Sequence, residues 1–283
     1  MNRRSDYVFN INGSLKSIKL PAVVGVLNYT PDSFYAESRH RSASSLATAA
    51  KNMAAEGAAI IDIGCASSRP GAEVIPEEDE ISRAAEAVSA VRNSIPDILI
   101  SIDTYRSTVA EAAITAGADI INDISGGNFD PEMLATAARR RVPIVLQHSR
   151  GTPNIMQTLT HYSDVTTDVL TELNESVENA KRHGVTDIIV DPGFGFAKTA
   201  EQSFELLSNL QAFKVFGFPI MVGLSRKSMI CSTLGITPEN ALNGTTAANV
   251  IALMGGADLL RVHDPKEARQ AIDIFLATNK NIS

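Results

Sequence analysis

One pattern recurs eight times along the chain and limits its fold more than any other feature. A short run of β-branched or other apolar residues ends in a polar side chain, and a stretch with helical spacing follows. The runs cover residues 23–28, 60–64, 98–103, 120–124, 143–148, 188–191, 219–225 and 259–264. Residues 44–57, 77–94 and 164–184 are the clearest helical stretches between them. Gly57, Gly117, Gly184 and Gly256 stand where helix C-terminal caps belong. Strands alternating with helices imply a parallel sheet with helical crossovers, and strand centres that are apolar throughout imply cover on both faces. Eight such units predict an α/β fold, a closed (β/α)8 TIM barrel in one domain spanning residues 1–283. An open doubly wound sheet is the alternative. Ahead of the first unit, "YVFNINGSLKSIKL" has Asn12-Gly13 between short apolar runs, which predicts an N-terminal β-hairpin able to plug the barrel bottom.

The polar ends of the runs carry the functional information. Asn28, Asp62, Asp103, Asn122, His148, Asp191, Ser225 and His263 are the first polar residues at or near the C-terminal ends of the strands. In a barrel those ends share the face that bears active sites. Any one of them is explained as a helix N-cap or a loop solubiliser. Eight together predict a ring of amides and carboxylates that needs a ligand to satisfy it. Three loops sharpen this. "DPGFGF" (191–196) has glycines that admit close backbone approach and aromatics that can stack on a flat ring. "LSRKSMI" (224–230) puts Arg226 and Lys227 after the seventh strand, and "LLRVHD" (259–264) puts Arg261 and His263 on one side of the eighth. Basic groups after strands seven and eight suit an anion. Together these loops suggest a flat, amide-bearing heterocycle with a phosphate tail.

Composition narrows the class. Hydrophobic residues at 44% and charged residues at 20% favour a globular, soluble chain. A net charge of −7 argues against general nucleic-acid binding. No apolar run is long enough for a membrane span, and "MNRRSDYVFN" lacks the apolar core of a secretory signal, so a cytoplasmic location is expected. Cys65 and Cys231 lie in no metal-ligand or redox pattern.

With those residues in view, the chain resembles the dihydropteroate synthase family over about residues 8–277. "NYTPDSF", "SSRPG", "SIDT", "INDISGG", "DPGFGF", "SRKS" and "RVHD" occur in the family's order. The resemblance implies condensation of 6-hydroxymethyl-7,8-dihydropterin diphosphate with 4-aminobenzoate and release of diphosphate. It implies that Asp103, Asn122 and Asp191 line the pterin pocket, with Lys227 donating to the ring. Arg261 and His263 would hold the diphosphate, with Asn28 as a magnesium ligand. Ser68, Arg69 and Pro70, with Lys227, Ser228 and Phe196, would receive the aminobenzoate, and residues 30–34 would close over the site. Lys227, Asp191, Asp103 and Arg261 are the implied catalytic groups. A homodimer is a further implication.

The chain also departs from the family's pattern. "GCASSRP" stands where Gly-Gly-Glu-Ser-Thr-Arg-Pro is usual, "SFYAESRH" lacks two glycines, and Ala197 replaces another. On the fifth strand, Gln147, His148 and Ser149 stand where the family commonly has Met-His-Met. A buried amide there must find partners; Asp191, the pterin and a retained water are the options. Two other functions remain open: a non-catalytic or altered-substrate pterin-binding barrel, and a methyltetrahydrofolate-type methyltransferase. The diphosphate-site motifs "SRKS" and "RVHD" and the aminobenzoate loop "SSRPG" discriminate against the latter.

Overall fold

The structure, a computed structural model, describes residues 6–29, 42–66 and 75–278. Asp6–Ile11 (β1) and Ser14–Lys19 (β2) form an antiparallel hairpin, with Ile11 opposite Ser14. Asn12 at φ +52° and Gly13 at φ +83° make the two-residue turn, as the Asn-Gly pair predicts.

Eight parallel strands follow: Ala22–Asn28 (β3), Ala58–Gly64 (β4), Leu99–Asp103 (β5), Ile120–Asp123 (β6), Ile144–Gln147 (β7), Ile188–Asp191 (β8), Met221–Val222 (β9) and Leu259–Val262 (β10). Their hydrogen-bonded order is β8-β7-β6-β5-β4-β3-β10-β9. A parallel bridge between Val190 and Ile220 joins the two end strands and closes the barrel. The open doubly wound alternative is thereby excluded. The seventh predicted strand, 219–225, shortens to the two residues of β9.

The helices are Ala43–Ala55 (α1), Glu77–Ser94 (α2), Ser107–Ala116 (α3), Met133–Arg140 (α4), Val165–Arg182 (α5), Ala200–Ser208 (α6), Ser228–Leu234 (α7), Leu242–Gly255 (α8) and Pro265–Thr278 (α9). All four glycines expected at helix ends have positive φ, from +86° at Gly184 to +114° at Gly117. Arg141 does the same task after α4 without being glycine, at φ +51°.

Two apolar cores result from strand alternation. One lies between the strands and the helical ring and includes Ile61, Ile63, Ile100, Ile102 and Leu146. The other fills the barrel bottom, where Val24, Ile60, Leu99, Ile120, Val145, Ile189, Met221 and Leu259 meet Phe9, Ile11 and Ile18 of the hairpin. The hairpin is therefore the plug its sequence suggests. Phe9 is fully buried there. Replacing it with Ala should destabilise the protein by about 3–5 kcal/mol in denaturant unfolding. A loss below about 1 kcal/mol would mean that the hairpin does not seal this core.

Candidate active site

The inner core fixes which side chains face the barrel interior higher up. Successive residues of a strand alternate faces. Two positions beyond the apolar layer, the inward residues are Val26, Asp62, Ser101, Asn122, Gln147, Asp191 and Arg261, with Gly223 just past β9. On six of the eight strands, all but β3 and β9, apolar thus becomes polar within a single step along the inner face. The alternation corrects one expectation: on β7 the inward polar residue is Gln147, and His148 points outward. His148 Nε2 instead meets Glu172 of α5 at 3.0 Å.

Arg261 is the hub of the inner ring. Its Nε donates to Asp62 Oδ2 at 2.6 Å and its Nη2 to Asp103 Oδ2 at 2.6 Å. Asn122 Nδ2 donates to the same Asp62 oxygen at 3.1 Å. Burial pushes the Asp103 carboxyl up, and the Arg261 guanidinium opposes that rise. Burial likewise works against the charge on Arg261, but Asp62 and Asp103 outweigh it and hold its pKa above the usual arginine range. Three buried atoms of the ring have no partner: Asp62 Oδ1, Asn122 Oδ1 and Gln147 Nε2. These are two acceptors and a donor, and a ligand with both kinds of group would satisfy them.

The loop after β8 forms the adjoining wall. Asp191 Oδ1 accepts from the Gly193 backbone N–H at 2.7 Å, which folds the loop back over the strand end. Gly193, at φ +71°, lies so close to β7 that a Cβ there would sit 1.9 Å from the His148 carbonyl oxygen. Lys227 donates to the Phe194 carbonyl oxygen, and its Nζ stands 4.9 Å from the centre of the Phe196 ring. Burial lowers the Lys227 pKa to about 8 against the pull of Asp191. The same burial raises Asp191, opposed by Lys227.

Sequence reasoning missed the group that holds this loop in place. Lys198 is buried, and its Nζ bonds to the carbonyl oxygens of Gly193 and Phe196, both at 3.0 Å, and to His148 Nδ1 at 2.8 Å. Burial lowers the Lys198 pKa well below the usual lysine value, and Asp191 opposes that shift. Because Nδ1 accepts, the neutral His148 ring carries its proton on Nε2 and donates to Glu172, which Arg150 also binds. Burial lowers the His148 pKa to about 4, reinforced by Lys198. The signal that could have pointed to Lys198 is a lysine directly behind an apolar, glycine-rich loop.

At the rim, Ser225 Oγ accepts from the His263 backbone N–H at 3.2 Å and lies 2.9 Å from His263 Nδ1. These two contacts fix the His263 ring beside Ser225, with Nε2 as the ring nitrogen turned away from it. Arg226 is paired with Asp264 at 2.7 Å, so of the two basic residues after β9 it is Lys227 that faces the inner ring. Ser228 is exposed at the start of α7. Asn28, half-buried at the end of β3, stands with Oδ1 3.1 Å from where a Cβ on Gly64 would lie. Ser68, Arg69 and Pro70, and residues 30–34, lie outside the described residues. A polar cleft of about 370 Å³ on the α5 side of β7 is lined by Gln147, His148, Glu172, Glu175, Asn179 and Arg182.

A barrel mouth that gathers buried carboxylates and amides around Arg261 and Lys227 defines the class: a barrel with a site for a polar small molecule. Comparison with known proteins is specific. The family described as "Pterin binding enzyme" matches residues 24–263. A dihydropteroate synthase from Synechocystis sp. is 46% identical over 251 residues, covering 88% of this chain and 86% of that protein. The crystal structure of the Yersinia pestis dihydropteroate synthase with a sulfonamide drug complex superposes with a TM-score of 0.91 at 36% identity, over 96% of this chain and 99% of that one. The Xanthomonas albilineans dihydropteroate synthase with 4-aminobenzoic acid superposes at 0.88 with 34% identity, over 96% and 98%. The chain belongs to the pterin-binding enzyme family and, within it, to the dihydropteroate synthases.

Two outcomes follow from the loop. Gly193→Ala should abolish activity or folding, because the new Cβ would collide with backbone and not with a side chain that could yield. An active, normally stable variant would contradict the packing. The lowered His148 pKa means that the unfolded chain binds the proton more readily than the folded one. Its contribution is present above the ordinary histidine range and is lost as pH falls from about 6.5 towards about 4. Denaturant unfolding across that window should show this loss, and His148→Gln should flatten the slope.

Proposed function

We propose that this chain condenses 6-hydroxymethyl-7,8-dihydropterin diphosphate with 4-aminobenzoate and releases diphosphate. The observation that carries the reading is the polar inner ring, in which unpaired acceptors and a donor sit near the buried Asp191 carboxylate and the half-buried Lys227, whose charges act on each other. The ring nitrogens and exocyclic groups of a dihydropterin supply matching donors and acceptors. Asp103, Asn122 and Asp191 accept from its amino and N–H groups. Lys227 donates to its carbonyl and ring nitrogen, and Gln147 lines the wall beside Asp191.

In the proposed course of reaction, the bond between the pterin methylene and the diphosphate oxygen breaks first. The electron pair leaves with the diphosphate. The amine nitrogen of aminobenzoate then forms the new carbon–nitrogen bond and gives up its proton to solvent water. Asp62, Asp103 and Asp191 would stabilise the positive charge that develops at the methylene and ring. Two of the N–H donors of Arg261 are engaged by carboxylates, and the others, together with the His263 side chain, would receive the departing diphosphate. Phe196 would pack on the aminobenzoate beside Lys227 and Ser228, and Ser68, Arg69 and Pro70 are taken to contribute to binding it.

Magnesium fits this donor set. Asn28 offers one hard, neutral oxygen at the mouth, on the strand paired with β10, which carries Arg261 and leads to His263. Magnesium is usually bound by few protein oxygens together with substrate phosphates. When bound, it would supply charge neutralisation on the leaving diphosphate. The proposal also takes the chain to act as a cytoplasmic homodimer. Leu234 of α7 and Ile251 and Met254 of α8 are exposed apolar residues suited to self-association. No helix among the described residues is long and apolar enough to cross a membrane.

The test is steady-state turnover with both substrates and magnesium, following diphosphate release. Turnover that requires both substrates is expected; none, in protein that still binds the pterin, would contradict the reading. Lys227→Ala should lower kcat/KM for the pterin by about 100-fold or more, and near-wild-type kinetics would remove Lys227 from the site. Because the Lys227 pKa is lowered to about 8, kcat/KM for the pterin in the wild type should fall as pH rises through that value. A profile flat to pH 10 would contradict a charged Lys227 as the donor.

A further inference from the structure

Gln147 is 5% exposed, and its Nε2 has no hydrogen-bond partner in the protein. A buried amide donor without a partner destabilises the free protein, whereas an apolar side chain of the same length would not. The donor is one of the groups that a ligand filling the barrel mouth could satisfy.

The strand order says what it meets. Asn122, Gln147 and Asp191 lie on the successive strands β6, β7 and β8, and Lys227 follows β9, which closes against β8. Gln147 and Asp191 are direct register partners. Asn122 commits its Nδ2 to Asp62 and so presents Oδ1, an acceptor. Gln147 presents a donor. Asp191 gives Oδ1 to Gly193 and presents its second oxygen, an acceptor. Lys227 presents a donor. Around the wall the order is acceptor, donor, acceptor, donor.

The edge of a 7,8-dihydropterin reads in the complementary order. N8–H is a donor, N1 an acceptor, the 2-amino and N3–H groups are donors, and the 4-oxo group and N5 are acceptors. We propose that Gln147 is a specificity-determining residue of this site, its Nε2 donating to N1 of the dihydropterin between the contacts made by Asn122 and Asp191. This rests on the reading that the substrate is a dihydropterin. Gln147 then discriminates against heterocycles that carry a C–H or N–H at that position, since two hydrogens would face each other. The amide also closes a gap in the recognition edge, because Asn122 has already spent its own donor on Asp62.

The experiment compares 6-hydroxymethyl-7,8-dihydropterin with its 1-deaza analogue by calorimetry, on the wild type, Gln147→Met and Gln147→Leu. The wild type should bind the pterin at least about tenfold more tightly than the analogue. Both variants should lose about tenfold for the pterin and nothing for the analogue, so that the preference disappears. Their Tm should be unchanged or higher, because an unpaired buried donor has gone, and the KM for aminobenzoate should not move. A role confined to packing would lower Tm or weaken both ligands alike. Variants that bind the pterin as tightly as the wild type, or that keep the wild-type preference over the analogue, would overturn the proposal. Failure of the underlying reading is distinct: the wild type itself would bind neither ligand and release no diphosphate.

Discussion

The pairing of Arg261 with Asp62 and Asp103 organises the rest of the site. Two carboxylates on neighbouring strands, one fully buried and one partly so, need a cation between them to offset their desolvation and mutual repulsion. The guanidinium fork reaches both at once, from a strand separated from β4 only by β3. It thereby ties β4, β5 and β10 together at the barrel mouth. Asp62 also takes the Asn122 amide, which extends the pairing to β6. What this network leaves unsatisfied is what a ligand must supply. Specificity therefore follows from the protein's internal pairings as much as from the groups it exposes.

The opposite wall is held by different physics. A loop that must bring the Phe194 carbonyl to Lys227 and the Phe196 ring beside it is fixed by close backbone packing at Gly193 and by the Lys198 ammonium underneath. Lys198 is buried, and the carboxylates that offset its charge are Asp191 and, through His148, Glu172. The outward turn of His148 therefore serves the site: one imidazole links the loop to α5. On β7, adjacent residues face opposite ways and serve the two walls, with Gln147 turned into the ring and His148 supporting the loop.

Much of this was legible in the sequence, for identifiable reasons. Strands covered on both faces read as continuous apolar runs, and each ends where the barrel opens, so Asp103, Asn122 and Asp191 were found from where the runs stop. The Asn12-Gly13 turn gave the hairpin. The 143–146 run shows no alternation to count from, so the strand-end reading put His148 in the ring, while the family's pattern at this strand pointed to Gln147 as a substrate-binding residue. The structure turns only Gln147 inward. Lys198 was invisible because its partners come from a loop carbonyl and from a strand 50 residues earlier. Asp62 was noted as a strand end, but its role as the anchor of Arg261 depends on a contact spanning 199 residues. Arg226 looked equivalent to Lys227 until its pairing with Asp264 separated them.

The central claim is that the heterocycle binds inside the barrel mouth, among the groups left unpaired by the Arg261 network. The most direct test is a crystal structure of this protein with 6-hydroxymethylpterin. The account predicts the ring within hydrogen-bond distance, about 2.7–3.2 Å, of Asp191, Asn122 and Lys227, with Phe196 at the entrance. A ring found instead in the polar cleft beside α5, among Glu172, Glu175 and Arg182, would contradict it.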